Sequence, residues 1–185
     1  MAISANKISQ LNNLTFTTER LLIRKLAPQD KAACIAHELD PEMMRYIKDI
    51  GTMEEIHARV EESIGPWYGK EGEWLAFAMI EREGDKVIGE VFCRFESIEF
   101  QRLEIGFRLN KQFYRQGLMT EALSTFIEQL VLIAEPVKIV GYCVKENDAS
   151  RLTMEKQGFT LEGVLRKHST LNGIWHDECV LALVI

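Results

Sequence analysis

Apolar residues in the second half of the chain alternate with polar ones or run together over strand-length stretches. Residues 103–109 place an apolar side chain at every second position, which is typical of a half-buried strand. Residues 74–81 are almost continuously apolar, as in a strand covered on both faces, and Gly84-Asp85 turns them into another strand at 86–96. A fourth strand is predicted at 138–144.

One long helix is predicted between two of these strands. From Leu118 to Ala134, apolar residues recur in pairs one turn apart and form a wide stripe, and Pro136 ends the helix. A strand, a helix and a strand in succession predict a crossover unit whose strands, 103–109 and 138–144, lie parallel. The loop before the helix then lies at the carboxyl end of the first strand, where α/β sheets bind ligands.

The chain before residue 74 is predicted to be mainly helical. Pro28 suits the first turn of a helix, and Thr52 suits an N-cap. The predicted elements are a loose N-terminal arm at 1–14, a strand at 21–26, a helix opened by Pro28, a helical turn at 41–46 and a helix at 53–64.

The C-terminal part is predicted to be a hairpin around Asn172-Gly173, a strong two-residue turn signal. In that register Thr170 faces Trp175, and two pairs join opposite charges, His168 with Asp177 and Lys167 with Glu178. His168 and His176 then point to opposite faces and cannot share an ion, so we expect no metal.

Length and composition fit one domain over residues 1–185, with 46% hydrophobic residues to form its core. A net charge of −6 and a pI near 5.3, without a lysine or arginine run, argue against nucleic acid or a membrane as partner. No stretch is long enough to span a bilayer and residues 1–18 are polar, so we expect a cytoplasmic protein. The four cysteines are widely separated in apolar contexts and are predicted to be reduced core thiols.

The chemistry of the chain is concentrated in the loop that precedes the long helix. Gly117 allows close approach of the backbone to a ligand, and the first helical turn presents amide N–H groups without intrahelical partners. With Arg115 adding a full charge, this end suits a phosphate or pyrophosphate.

The loop resembles motif A of the GNAT superfamily of acetyl-CoA-dependent N-acetyltransferases, which usually reads Gln/Arg-x-x-Gly-x-Gly/Ala. The chain has Tyr114 and Met119 at the first and last of these positions, and Arg115 supplies the charge missing from the first. In the family this loop binds the coenzyme A pyrophosphate through backbone amides. The resemblance implies acetyl-CoA as cosubstrate, bound by Arg115, Gln116, Gly117, Leu118, Met119 and Thr120.

A second segment, Asn147 to Phe159, resembles the next element of that family, a short helix that begins with Asn-x-x-Ser/Ala and closes with Lys-x-Gly-Phe. By its own residues it is a helix capped by Asn147 or Asp148 and ended by Gly158. The family's asparagine, here Asn147, hydrogen-bonds the pantetheine arm. The stretch Thr18-Glu19-Arg20-Leu21-Leu22-Ile23-Arg24 further resembles the start of the RimJ/RimL branch, the ribosomal-protein N-terminal alanine acetyltransferases and their relatives.

The resemblance implies a single GNAT-like domain of α/β (α+β) class. Its mixed central sheet of about six or seven strands is splayed at the acetyl-CoA site and carries helices on both faces. In the family the strand before the loop binds the pantetheine arm and thioester by its free backbone groups. Phe107, Arg108 and Leu109 match that strand, and one of their N–H groups is the candidate donor to the oxyanion.

Acetyl transfer to an amine needs a base, and Glu104 on the same strand is the first candidate, with Glu90 second. The alternative for each is a structural carboxylate, paired for example with Arg102 or Arg94. Many GNAT enzymes carry a tyrosine as leaving-group acid where this chain has Met154, which cannot donate a proton. Ser150 matches the serine of the RimJ/RimL pattern, and is either that acid or a helix-start residue.

The predicted function is transfer of an acetyl group to a primary amine, most simply the α-amine of a protein N-terminus such as that of a ribosomal protein. An α-amino group with a pKa of about 7.7–8.0 suits a weak carboxylate base better than a lysine with a pKa of about 10.4. A polyamine, antibiotic or amino acid is the alternative acceptor, and a coenzyme A-binding module without turnover is the alternative of another class. A homodimer is expected only by analogy with relatives.

Overall fold

The computed structural model describes residues 3–185, and its centre is an eight-stranded mixed sheet in the order β1-β2-β3-β4-β5-β6-β8-β7. Neighbouring strands are antiparallel except β5 and β6, which are parallel and joined by a helix, as predicted. The strands are β1 Thr15–Thr17, β2 Leu21–Lys25, β3 Leu75–Glu81, β4 Lys86–Ser97, β5 Arg102–Leu109, β6 Lys138–Val144, β7 Thr160–Leu171 and β8 Ile174–Val184.

Helices cover both faces of the sheet, because β3 is apolar on both sides. Its residues Leu75, Phe77 and Met79 belong to one buried cluster, with the helices at residues 5–12 and 118–134. Its residues Ala76, Ala78 and Ile80 belong to another, with the helices at residues 31–39 and 53–64. The helices are α1 Ala5–Asn12, α2 Lys31–Leu39, α3 Pro41–Met44, α4 Met53–Ile64, α5 Leu118–Ala134 and α6 Asp148–Lys156. This is the single α/β domain that the pattern predicts.

The two parallel strands pair over only a short part of their length. Among the described residues, β5 and β6 pair at Arg102 with Lys138, Leu103 with Ile139 and Glu104 with Val140. Residues 105–109 of β5 and 141–144 of β6 continue beyond these pairs without pairing to each other. The sheet is therefore open toward the end of β5, as the predicted splay requires.

The predicted loose arm at residues 1–14 is wrong where the chain is described. Residues 5–12 form α1, whose N-cap Ser4 accepts a hydrogen bond from the N–H of Lys7. Leu11 and Leu14 are buried in the main core, and Lys7 forms an ion pair with Glu135 at the end of α5. The polar composition of this segment concealed the apolar stripe of α1, which packs on the core. Residues 1 and 2 lie outside the described part of the chain.

The sheet has one more strand than the predicted upper number, because residues 15–17 pair with 22–24 as β1. The C-terminal hairpin turns at Asn172-Gly173 as predicted, with Thr170 opposite Trp175. The two predicted charge pairs are wrong, because a bulge shifts the register and places Leu165 opposite Glu178. Lys167 has a left-handed φ of 48° in this bulge, and its N–H donates to Asp177 Oδ1 at 2.9 Å.

Candidate active site

The loop before α5 has a backbone shaped for an anion. Arg115 and Gly117 have positive φ angles of 61° and 78°, whereas Gln116 between them does not. Alternation of this kind turns successive N–H groups toward one side and forms an anion-binding concavity. The first hydrogen bond of α5 runs from the Glu121 N–H to the Gly117 carbonyl at 3.0 Å, so the N–H groups of Leu118, Met119 and Thr120 have no partner within the helix.

The side chains of this loop take different positions, which decides how each predicted cofactor-binding residue can act. Arg115 and Gln116 are exposed, whereas Leu118 and Met119 are buried in the core and can offer a ligand only their backbone. The carbonyl of Thr120 accepts a hydrogen bond from Gln157 of the segment that follows α6. The structure therefore brings the predicted loop residues together at one helix end.

A charged contact that sequence reasoning missed fixes this loop from behind. Arg20, next to the start of β2, binds Glu121 Oε2 through Nε at 2.7 Å and Nη2 at 2.6 Å. Its Nη1 donates to the carbonyl of Gln116 at 2.9 Å. Glu121 also accepts hydrogen bonds from the Thr18 hydroxyl and the Arg20 N–H. The two charges are 101 residues apart in sequence, so no local spacing announces the pair.

A cavity of about 810 Å³ lies where β5 and β6 separate. β5 contributes residues 104–108 to its wall, β6 contributes residues 142–144, and the start of α6 contributes Asn147 and Ser150. The opposite wall comes from the α3–α4 segment, including Tyr46 and Lys48. Both predicted catalytic residues, Glu104 and Ser150, thus face one cavity.

Backbone directions along β5 distinguish the three predicted thioester-binding residues. The N–H of Asn110 donates to the Ile88 carbonyl on the β4 side, and the carbonyl of Gln101 accepts from Val137 on the β6 side. Because backbone groups alternate in direction along a strand, the N–H groups of Phe107 and Leu109 point into the gap. The N–H of Arg108 points toward β4 instead, which removes it from the candidate oxyanion donors.

Glu104 is buried, with 7% of its surface exposed, and is paired with Arg94. The Arg94 Nε and Nη2 atoms lie 2.7 and 2.5 Å from Glu104 Oε2, and the guanidinium stacks on the Trp74 ring. Burial raises the pKa of the Glu104 carboxyl above its usual value, against the opposing effect of Arg94. Glu104 thus forms the pair with Arg94 named in the structural alternative, and it also has the access to the cavity and the raised pKa that a base requires.

Glu90, the second candidate base, is in a different environment. It is fully buried, does not line the cavity, and accepts from Arg108 Nε at 2.8 Å and contacts His37 Nδ1 at 3.0 Å. The Arg108 guanidinium also binds Glu38 at 2.6 Å. Both oxygens of Glu90 are engaged inside the protein, in a buried ion network, which is the structural alternative stated for this residue.

Asn147 caps α6, as predicted, with its Oδ1 accepting from the Ser150 N–H at 3.2 Å. This contact fixes the amide and leaves Nδ2 without a partner among the described residues. Met154, at the position of the missing tyrosine, is buried and also lines the cavity. Tyr142, which sequence reasoning missed, donates its hydroxyl to Glu96 Oε1 at 2.9 Å; burial and this carboxylate raise the pKa of Tyr142 to about 12.

The structure also describes the cysteines, the arrangement of possible metal ligands and the length of the helices. The four cysteines are buried and unpaired, as predicted. Within residues 3–185, no group of three or more His, Cys, Asp and Glu side chains is arranged to hold a metal ion. None of the helices in this part of the chain has the length and apolar character needed to cross a bilayer.

Comparison with known proteins adds an independent result. Residues 20–160 match the family model described as an acetyltransferase (GNAT) domain. The chain is 25% identical over 169 residues to the uncharacterized N-acetyltransferase YoaA of Bacillus subtilis, covering 90% of this chain and 94% of that protein. It is 32% identical over 102 residues to a ribosomal-protein-serine acetyltransferase of Escherichia coli, covering 55% and 56% of the two chains.

Among solved structures, one fold match is RimL, a ribosomal L7/L12 α-N-protein acetyltransferase in complex with coenzyme A. The TM-score is 0.81 at 20% sequence identity, over 93% of this chain and 98% of that one.

Proposed function

The chain belongs to the GNAT family of acetyltransferases, and from this premise we propose that it moves the acetyl group of acetyl-CoA to the α-amine of a protein N-terminus. The observation that carries the proposal is the cavity at the opening of the sheet. It places a buried carboxylate with a raised pKa, Glu104, on the strand that leads into an anion-binding loop.

The loop before α5 and the gap between β5 and β6 suit two parts of the coenzyme, the pyrophosphate and the pantetheine arm. The N–H groups at residues 115–120 bind the pyrophosphate, helped by the helix dipole and by the charge of the exposed Arg115. The N–H groups of Phe107 and Leu109 and the Nδ2 of Asn147 are available to the carbonyl and amide groups of the pantetheine arm. This arrangement directs the thioester into the gap beside Glu104.

Each step of the transfer has a candidate group. The amine nitrogen attacks the thioester carbon, its C–N bond forms, and the C–S bond breaks to release the thiolate. Glu104 takes the proton that the amine loses, directly or through water. A backbone N–H of Phe107 or Leu109 donates to the carbonyl oxygen as it becomes negative, and the Ser150 hydroxyl donates to the thiolate.

The choice of acceptor rests on chemistry and on the relatives. A carboxylate base of moderate strength is best matched to an α-amine, whose pKa of about 7.7–8.0 is far below that of lysine. Relatives named as ribosomal-protein acetyltransferases point in the same direction. A small amine remains the alternative acceptor, and a coenzyme A-binding module without turnover is the alternative of another class.

Thiol release from acetyl-CoA by the purified protein tests this proposal. The panel consists of peptides with different N-terminal residues, the same peptides with a blocked N-terminus, polyamines, aminoglycosides and free amino acids. We expect turnover with open peptides and none with blocked ones. Preference for a small amine would overturn the choice of acceptor, and binding of acetyl-CoA without any turnover would support the binding module.

The role of Glu104 is tested by Glu104→Gln, with Glu178→Gln as the matched control, because both carboxylates line the cavity. We expect Glu104→Gln to lower kcat by at least about 100-fold with little change in acetyl-CoA affinity, and Glu178→Gln to cost much less. Since the base acts only when deprotonated, kcat/KM should fall as the pH drops through the raised pKa of Glu104. This decrease of kcat/KM at low pH should be absent in Glu104→Gln. Equal losses in turnover and affinity would refute the assignment.

A further inference from the structure

Resting on the proposed function, we infer that Arg20 is a positioning residue for coenzyme binding, acting through the Gln116 carbonyl and the Glu121 carboxylate. The turn between β1 and β2 makes three kinds of contact, one with the loop that precedes α5 and two with Glu121 in the first turn of α5.

The first contact concerns the direction of one peptide unit. An anion-binding loop works only if its N–H groups point to the ligand, and then its carbonyl groups must point away. Arg20 Nη1 donates to the Gln116 carbonyl at 2.9 Å and so holds this carbonyl toward Arg20. The same peptide unit carries the N–H of Gly117, so the hydrogen bond to the carbonyl also aims this N–H.

The second contact concerns charge. Glu121 lies in the first turn of α5, where a carboxylate competes with a bound pyrophosphate for the same helix end. Burial would raise the pKa of Glu121, but hydrogen bonds from Thr18 and Arg20 outweigh it and hold the pKa below its usual value. The residue is therefore ionised at neutral pH, and the two-atom contact with Arg20 balances its charge.

The third contact concerns the anchor itself. The backbone N–H of Arg20 and the Thr18 hydroxyl both bind Glu121 Oε1, so the carboxylate ties the β1–β2 turn to α5. Arg20 Nη2 is close to Gly117, at 3.7 Å from the position that a Cβ would take there. Its side chain is nevertheless half-exposed, so the guanidinium is not required to fill the core.

Arg82, which follows β3, contacts the same turn and offers a matched control. Arg82 Nη1 donates to the Thr18 and Glu19 carbonyls at 3.2 and 3.1 Å, and no contact with the loop is found for it among the described residues. Arg82→Gln thus removes a comparable pair of hydrogen bonds from the turn but leaves the loop untouched. Comparison with Arg20→Gln separates an effect on the loop from a general effect on the turn.

The experiment compares acetyl-CoA with acetyl-pantetheine, which carries the thioester but lacks the pyrophosphate. We expect Arg20→Gln to raise the KM for acetyl-CoA and the Kd for coenzyme A, measured by calorimetry, about tenfold, while kcat changes less than twofold. The KM for acetyl-pantetheine should not change. Arg20→Lys keeps the charge but loses the planar guanidinium. Its KM for acetyl-CoA and its Kd for coenzyme A should lie between those of Arg20→Gln and the unchanged protein.

The balance of charge between Arg20 and Glu121 is tested by a double variant. Adding Glu121→Gln to Arg20→Gln removes the unbalanced carboxylate, and we expect the double variant to bind coenzyme A at least threefold more tightly than Arg20→Gln alone. Equal losses with acetyl-CoA and acetyl-pantetheine, the same loss in Arg82→Gln, or unchanged coenzyme A affinity in Arg20→Gln would each overturn the inference. Absence of turnover in the unchanged protein would instead contradict the proposed function. The role of Arg20 would still be tested in that case, because calorimetric binding of coenzyme A needs no acceptor.

Discussion

Replacing Arg108 by methionine removes a cation from the centre of the buried ion network. Arg108 keeps 8% of its side chain exposed and lies between Glu90, which is fully buried, and Glu38, at 6%. Methionine fills a similar volume without charge, so the main change is electrostatic. Glu90 would lose both hydrogen bonds from Arg108 and would keep His37 Nδ1, at 3.0 Å, as a polar partner.

The magnitude follows from this geometry. Unit charges about 4 Å apart attract by about 4 kcal/mol at an effective dielectric constant of about 20. Arg108 contacts two carboxylates, but part of the attraction only offsets desolvation of the three groups. Breaking a buried pair by removing one partner typically costs about 3–5 kcal/mol, and we expect a loss of unfolding free energy in that range at pH 7.

The pH dependence gives the sign of the effect. Burial alone would raise the pKa of Glu90, but Arg108 and His37 outweigh it and hold the pKa below its usual value. Its stabilising contribution is present at neutral pH and is lost only as the pH falls through that depressed pKa. In Arg108→Met the pKa of Glu90 rises instead, and protonation relieves the penalty. The difference between the two proteins should therefore shrink from pH 7 to pH 5.

Urea unfolding at pH 7 and pH 5 measures this difference. With a slope of about 2 kcal/mol per M, the midpoint at pH 7 should fall by about 1.5–2.5 M. Arg108→Met combined with Glu90→Gln should recover part of the loss, because no buried charge is then left at residue 90. A difference that stays constant or grows toward pH 5, or a double variant no more stable than the single one, would refute the reasoning.

Two further predictions concern the coenzyme site. Gly117→Ala and Gly158→Ala both place a side chain at a left-handed position, with φ of 78° and 87°, at a similar backbone cost of about 1–2 kcal/mol. We expect only Gly117→Ala to weaken coenzyme A binding, about tenfold by calorimetry; equal affinities would discredit the loop assignment. Ser150→Ala should lower kcat by about three- to tenfold in the thiol-release assay, because a thiol with a pKa near 8.5 leaves without full proton transfer. A loss above 100-fold would make Ser150 an essential acid, and no loss would leave it only a helix-start residue.

Much of the fold was predictable because its strongest signals are local. The stripe of residues 118–134, the breaker Pro136 and the alternation at 103–109 define the crossover unit without reference to the rest of the chain. Thr52 capped α4 as predicted, since its hydroxyl accepts from the Glu55 N–H three residues later. Features of this kind depend on residues within one or two helical turns.

The remaining features depend on contacts between distant residues. Glu90 and Glu104 are both carboxylates within strands, β4 and β5. Glu90 is enclosed with Arg108 beneath the α2–α4 layer, whereas Glu104 lines the cavity and pairs with Arg94. Arg20 and Glu121 meet only after the sheet has assembled. The bulge at Lys167 is set by the carboxylate of Asp177 across the hairpin. Charge and periodicity in one segment cannot distinguish these cases, because the deciding partner lies elsewhere.

The short pairing between β5 and β6 has a mechanical consequence. Strands β1–β5 and β6–β8 form two ribbons, and the described strand pairing joins them at three residue pairs near Leu103, next to the hydrogen bond from the Val137 N–H to the Gln101 carbonyl. A small rotation about this connection moves the far ends of both strands most, and the thioester is proposed to lie at those ends. A bound pantetheine arm would contact both ribbons and restrict their rotation relative to each other. Stiffness of the sheet and alignment of the reacting atoms would then be two effects of one binding event.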